Sequence, residues 1–298
     1  HLGRKEKTMA EIPIFVMTRN DGELLFDCIK SILENTTHSY HVYIVDNNST
    51  DDNHLNIIEH YNNHEKVTVC RNTNNLWVIG LNTHLEEVRK NCISEYFVVT
   101  DGDIIFPEVD VGSGQCWLSK LVTYMMTYKC IGKIGLSLNW DLIKNDTFFN
   151  EIYTQEKRLY NENKKIDELY ISPVDTTAAI YRWDWSINGY KFYPDHIRYL
   201  RPELYSCRTS KDFTAIHMGW SLYKNVDDPD IRKLNEKIKC FTIIGADIKN
   251  TQLTMASKKV RIFNKILARP MKYFWSIRRI FLTLVYTIKK GIWYYDNH

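Results

Sequence analysis

Acidic residues are missing from the last sixth of this chain. Between positions 248 and 295 there is no Asp or Glu, against eleven Lys and Arg. Residues 1–247 hold the other 28 Lys and Arg and 35 Asp and Glu, so the body is acidic and the tail strongly basic. That asymmetry points the tail at an anionic surface. No C-x-x-C pair occurs. The cysteines Cys28, Cys70, Cys92, Cys116, Cys130, Cys207 and Cys240 are scattered and odd in number. A disulfide framework and a zinc site are therefore excluded, and reduced thiols in a cytosolic protein are expected. Glycine is sparse, and the loop after the first apolar run, MTRNDGE, holds only one. A G-x-G-x-x-G dinucleotide loop is absent there, as is the glycine-rich basic loop of a nucleotidylyltransferase. No secretory leader is visible, and residues 1–8 precede Met9 and are not expected to belong to the fold. The tail has no apolar stretch long enough to span a bilayer.

What is present reads as an ordinary globular chain. Hydrophobic residues make up 44% and charged residues 25%, which opposes disorder. The length of 298 residues suits one large α/β domain with an appendage. Apolar runs at 12–18 (IPIFVMT), 41–45 (HVYIV), 66–70 (KVTVC) and 96–100 (YFVVT) alternate with segments of helical periodicity. The helices are marked by Leu24, Leu25, Cys28, Ile29, Ile32 and Leu33, by Leu55, Ile58 and Tyr61, and by Leu81, Leu85 and Val88. Continuous apolar strands alternating with helices predict an open, mainly parallel sheet.

Beyond Pro107 the rhythm loosens. A helix is expected around Trp117–Met125, and CIGKIGLSL (130–138), YISPVDTTAAIYRW (170–183) and DFTAIH (212–217) read as strands. Residues 151–165 are polar and helical or loop-like. From about residue 252 the chain reads as helix, with Pro270 expected to divide it in two. Phe274, Ile277, Phe281, Leu284, Ile288 and Ile292 step by three and four. A basic amphipathic helix of this kind fits lying on an anionic membrane surface, or docking on the body or a second subunit. The expected division is 9–247 for the main domain, with halves 12–108 and 109–247, and 248–298 for the extension.

Ligands of open parallel sheets bind beyond the carboxyl ends of the strands. Arg19 and Asn20 follow the first strand, Asp46 the second, and Asp101-Gly102-Asp103 the fourth. Two carboxylates flanking one glycine suit a divalent cation such as Mg²⁺ or Mn²⁺, which binds through few carboxylates plus substrate phosphates. The pattern alone is weak, because Asp228-Pro229-Asp230 repeats it before a helical segment, where capping explains it. Asp46 also has a plain reading as part of a turn, with Ser49 or Thr50 capping the next helix.

In their order, PIFVMTRNDGELLFDCIKSI, VYIVDNNSTDD, NLWVIGLNTHL and YFVVTDGDI resemble the GT-A glycosyltransferases, most of all the family 2 type, over residues 12–108. The resemblance implies transfer of a sugar from a nucleotide diphospho-sugar, UDP-linked by preference. It places Thr18 and Asn20 in the nucleotide pocket, Asp46 on the base, Asp103 on the metal, Asp101 near the ribose or the metal's water shell, and Asn82 along the donor site. PVDTTAAIYR and HMGW (217–220) resemble segments of bacterial cell-surface glycan transferases. There a histidine can complete the metal shell, which here would be His217, and Trp220 could stack on a sugar or simply pack. The Glu-Asp pair usual before an acceptor helix is absent. Asp175, Asp184 and Asp212 are then the candidate bases, Asp175 having the best context, and inversion or retention stays open. A glycan or lipid-linked acceptor, surface polysaccharide synthesis, a peripheral place on the inner face of the membrane and possible self-association complete the expectation. No nucleic acid partner is expected. A non-catalytic scaffold or glycan-binding protein is the alternative from another class.

Overall fold

A computed structural model describes residues 10–174, 177–183, 206–225 and 231–290. Its first half alternates strand and helix: β1 (Ile12–Thr18), α1 (Glu23–Asn35), β2 (Tyr40–Asp46), α2 (Asp52–Asn62), β3 (Val67–Arg71), α3 (Asn82–Asn91) and β4 (Tyr96–Asp101). A 3₁₀ turn, Trp77–Leu81, leads into α3. β3, β2, β1 and β4 lie side by side and parallel. β1 and β4 are almost wholly apolar because both faces are covered, whereas β3, at the sheet edge, is half-exposed. Ile12, Ile14, Val16, Val42, Ile44 and Val98 point into one core with α1 and α2, whereas Phe15, Val45, Phe97 and Val99 point into a second with Leu81 and Leu85. The alternation follows from the period of two along a strand.

The second half is mixed. After β5 (Ile104–Ile105) come α4 (Trp117–Thr127), β6 (Lys133–Gly135), β7 (Ser137–Leu138), α5 (Asn150–Lys157), β8 (Lys165–Ile166) and β9 (Leu169–Ile171). Next are β10 (Ala179–Arg182), β11 (Ser206–Arg208) and β12 (Thr214–His217). β10 runs antiparallel between β4 and β6, and β11, β9 and β8 complete a nine-stranded sheet. A small sheet, β5-β12-β7, stands beside it. The expected single strand over 130–138 is therefore two. Leu136 between them donates its N–H to Ala178 O, and β6 and β7 join different sheets.

The chain ends in α6 (Ile231–Ile243), α7 (Asn250–Met255) and α8 (Lys258–Lys290). Pro270 does not divide the extension: it lies inside the continuous α8. A proline removes one N–H from the ladder, and the turns on both sides keep theirs. Those turns are held to α6, where Trp275 Nε1 donates to Ile243 O (2.8 Å) and Asn264 Nδ2 to Thr242 Oγ1 (2.8 Å). Ile238 of α6 shares a small core with Ala256 and Val260, so the helical unit includes α6 as well as the residues after 247. Among the described residues all seven cysteines are free thiols.

Candidate active site

The carboxyl ends of the four parallel strands finish level. Thr18 pairs with Asp46, Asp46 with Arg71, and Met17 with Asp101. Backbone bonds continue the ladder one step past the strands, from Asn47 N to Thr18 O (3.0 Å), Asn72 N to Asp46 O (2.8 Å) and Gly102 N to Met17 O (2.9 Å). The loops that follow therefore leave from one rigid edge.

Asp46 is fully buried there. Its Oδ2 accepts from Ser49 N (3.1 Å) and Arg71 Nε (3.1 Å). Its Oδ1 accepts from Ser49 Oγ and meets His54 Nε2 at 3.3 Å. His54 Nδ1 accepts from Gly22 N (3.1 Å), so the ring proton sits on Nε2, facing the carboxylate. Burial pushes the Asp46 carboxyl up, but the hydrogen bonds from His54, Ser49 and Arg71 together outweigh it and pull it down to about 2. The carboxylate is thus occupied by four donors of the protein itself. Ser49 is claimed by Asp46, and neither Ser49 nor Thr50 caps α2. Asp51 does so, its side chain accepting from His54 N (2.8 Å). Arg71, which the sequence reading did not single out, has a side chain 48% exposed on the rim.

Thr18 and Asn20 also have partners. Thr18 Oγ1 donates to Asp21 Oδ2 (2.5 Å), and burial holds that acid above its ordinary value, ahead of the lowering Thr18 bond. Asn20 adopts φ 52°, a left-handed conformation that asparagine tolerates. Its Oδ1 accepts from Thr50 N (2.9 Å) and Asp51 N (3.0 Å), which ties the first loop to the second. Asn82 opens α3 and is half-buried. Beside it, Asn72 Nδ2 donates to Asn47 Oδ1 (2.9 Å) and Gly80 O (3.2 Å), and His84 Nε2 lies 2.9 Å from Asn72 Oδ1.

The two aspartates of the D-G-D turn go separate ways. Asp101 stays in β4, and its Oδ2 accepts from Thr177 Oγ1 (3.2 Å) at the head of the neighbouring β10. Asp103 lies past the turn, where β5 pairs with β12 and Ile104 faces His217. Asp103 Oδ2 and His217 Nδ1 are 3.9 Å apart, and Asp103 O accepts from Met218 N (2.9 Å). Gly102 is needed at the turn: a Cβ there would stand 2.9 Å from Asp21 Oδ2 and 3.0 Å from Thr18 Oγ1. Among the described residues no group of three or more His, Cys, Asp and Glu is placed to hold a metal. Asp103 faces His217, and Asp101 turns instead to Thr177. Trp220 is 5% exposed, and its ring stacks on His217 at 4.9 Å, so it packs and covers the histidine. Asp212 is exposed in a turn before β12. Asp175 and Asp184, as well as Asp228 and Asp230, lie outside the described residues.

The donor set fits a hard divalent cation. One carboxylate oxygen and one imidazole nitrogen, on side chains that are 20% and 13% exposed, face each other 3.9 Å apart. Mg²⁺-type sites are commonly completed by water and substrate phosphate, so two protein ligands suffice.

A level edge of parallel strands, an acidic turn and a facing histidine define a GT-A glycosyltransferase architecture. The sequence model described as glycosyl transferase family 2 matches residues 14–187, more than half of the chain. The chain belongs to that family and is a glycosyltransferase. Among solved structures it is similar to the mannosyltransferase PcManGT from Pyrobaculum calidifontis, in complex with GDP-Man and Mn²⁺, at 16% identity. That match covers 95% of this chain and 74% of that one, with TM-score 0.47. It is also similar to S. aureus TarS residues 1–349 in complex with UDP-GlcNAc, at 14% identity over 86% of this chain and 73% of that one, with TM-score 0.45. No curated protein matches the chain in sequence.

Proposed function

We propose that this glycosyltransferase moves a sugar from a nucleotide diphospho-sugar, UDP-linked by its resemblance to family 2, with Mn²⁺ or Mg²⁺ held by Asp103 and His217. The observation that carries this reading is the approach of Asp103 Oδ2 to His217 Nδ1, 3.9 Å apart, at the edge where the parallel strands end. When bound, the cation neutralises the negative charge that builds on the leaving diphosphate.

The chain's own residues prepare that event. Thr18, Asp21 and Gly102 form a close-packed floor in which the glycine leaves no room for a side chain. Asn20 fixes the first two loops against each other. Asp46 acts as a positioning residue. Its carboxylate, already bonded to Ser49 and His54, aims Arg71 at the rim, where a planar cation suits a nucleotide base or phosphate. Asn82 lines the donor side at the head of α3. Asp101 approaches the ribose or the metal's water shell from β4. Asp175 is our choice for the base that takes the acceptor proton, because Thr177, two residues on, is bonded to Asp101.

The acceptor is a glycan or a lipid-linked glycan, and the enzyme serves surface polysaccharide synthesis at the inner face of a membrane. The test is release of nucleoside diphosphate from a panel of nucleotide sugars with Mn²⁺ present and absent. Asp103→Ala should abolish metal-dependent release while leaving the melting temperature in place. Equal release with and without metal from the unaltered protein would contradict the reading.

A further inference from the structure

α8 has two apolar faces, and the fold uses one. Residues turn about 100° apart around a helix, so the inward face can be followed along the chain. Val260 and Trp275 are buried on it, and Asn264 bonds to α6. On the nearly opposite side, about 150° around the helix, runs a second stripe of Ile262, Ile266, Tyr273, Ile277, Leu284 and Ile288. All six are exposed, Ile266 to 64% and Ile277 to 68%. Phe274 and Phe281 widen the stripe. An exposed apolar band of this size on a polar-rimmed helix marks an interaction surface.

The charge beside the stripe selects the partner. Arg261, Lys265 and Arg269 are exposed along its other edge, between the stripe and the inward face. The 48 residues from 248 to 295 carry eleven cations and no anion. A second copy meeting the first stripe to stripe would press two such basic helices together. Among the described residues, no helix is long and apolar enough to cross a membrane. An apolar stripe with a basic edge and an aromatic fringe instead matches the interface of an anionic bilayer, with hydrocarbon under the stripe and headgroup phosphates against the lysines and arginines.

We infer that α8 lies flat on an anionic lipid surface through the Ile262–Ile288 stripe, while Trp275 and Val260 hold it to α6. That attachment is stiff. Gly245, at φ 71°, lets the chain pass so close that a Cβ there would stand 2.8 Å from Trp275 Cδ1. It also reaches the donor edge, since Phe241 of α6 meets the Trp77 ring at 6.2 Å and Trp77 O accepts from Asn47 Nδ2 (3.0 Å). The bilayer would thereby be held at a fixed position relative to the donor-side loops. This inference shares only its cellular placement with the proposed function and rests on α8 alone.

The test is flotation of the full chain with vesicles of phosphatidylcholine, with and without phosphatidylglycerol. The unaltered protein should float with the anionic vesicles and stay behind with the neutral ones, and added salt should weaken binding. Ile266→Glu combined with Ile277→Glu changes only exposed positions and should weaken binding about tenfold or more at an unchanged melting temperature. Arg261→Glu combined with Lys265→Glu should do the same. Binding that survives both double variants would overturn the inference. So would failure to float with anionic vesicles, or a dimer in solution that Ile266→Glu with Ile277→Glu converts to monomer while vesicle binding is absent throughout.

Discussion

At Gly219 an added methyl carbon would stand 1.9 Å from Asp103 Oδ2 and 3.0 Å from His217 Cε1. No side chain fits there unless the Asp103 carboxylate moves. Gly219→Ala should therefore depress turnover by about a hundredfold, the scale of loss that follows an ångström of misplacement at a reacting centre. Its melting temperature should change little, since Gly219 lies in a short 3₁₀ segment outside the main sheet. Paired turnover and thermal-melt measurements check this, and a fully active Gly219→Ala protein would show that Asp103 need not stay where it is.

Asp46 gives a second prediction, about stability. Its carboxyl falls from the ordinary 3.8 to about 2. A lowered acid adds stability that is fully present above about pH 4 and is lost as the pH falls through 2. The contribution is about 2 kcal/mol. Asp46→Asn should flatten the acid limb of a urea-stability profile measured between pH 6 and pH 2. It should also lower stability at pH 6 by about 2 kcal/mol, because Ser49, His54 and Arg71 lose an anionic acceptor. An unchanged acid limb would mean that Asp46 is not the group that titrates there.

At the scale of elements, α8 carries a proline inside a helix of 33 residues. Interior proline costs about 3 kcal/mol relative to alanine. Pro270→Ala should thus slow amide exchange through residues 266–274 and raise helicity slightly. Should exchange there speed up, the continuous helix would be wrong. Gly245→Ala should act in the opposite direction, loosening the α6–α8 contact by about 1–2 kcal/mol, because a left-handed position and the Trp275 ring both reject the new methyl. Earlier exchange of the Trp275 indole N–H would report it.

Elements also differ in how plainly the sequence announces them. β1 and β4 could be read because a strand covered on both faces is apolar along nearly its whole length, and β3 because its valines alternate at the strand period. Residues 130–138 could not be read correctly from one end to the other. β6 and β7 form a single apolar run, and the break at Leu136 is set by partners some 40 and 80 residues further on, Ala178 and Ala215. The continuity of α8 through Pro270 depends likewise on α6, which no local pattern records.

Over the whole molecule, the site was partly legible. Thr18, Asn20, Asp46 and Asp101 could be brought to one edge because parallel strands end together. His217 could be singled out as a strand-end histidine, and the pairing of β12 with β5 sets it beside Asp103. Arg71 escaped notice because an arginine after a strand has no local signature; its meaning comes from Asp46 across the ladder. Gly219 escaped for a similar reason, since the close approach it permits is visible only in three dimensions. Within the D-G-D turn the two aspartates face different partners: Asp101 accepts from Thr177 beside β10, and Asp103 faces His217.

In the proposed function, Asp103 and His217 hold a divalent cation together with a nucleotide diphosphate. Calorimetric titration of Mn²⁺ into the protein, with and without UDP, tests it without relying on turnover. Mn²⁺ should bind more tightly with UDP present, and Asp103→Ala and His217→Ala should each remove that gain while melting as the unaltered protein does. Undiminished Mn²⁺ and UDP binding by both variants would contradict it.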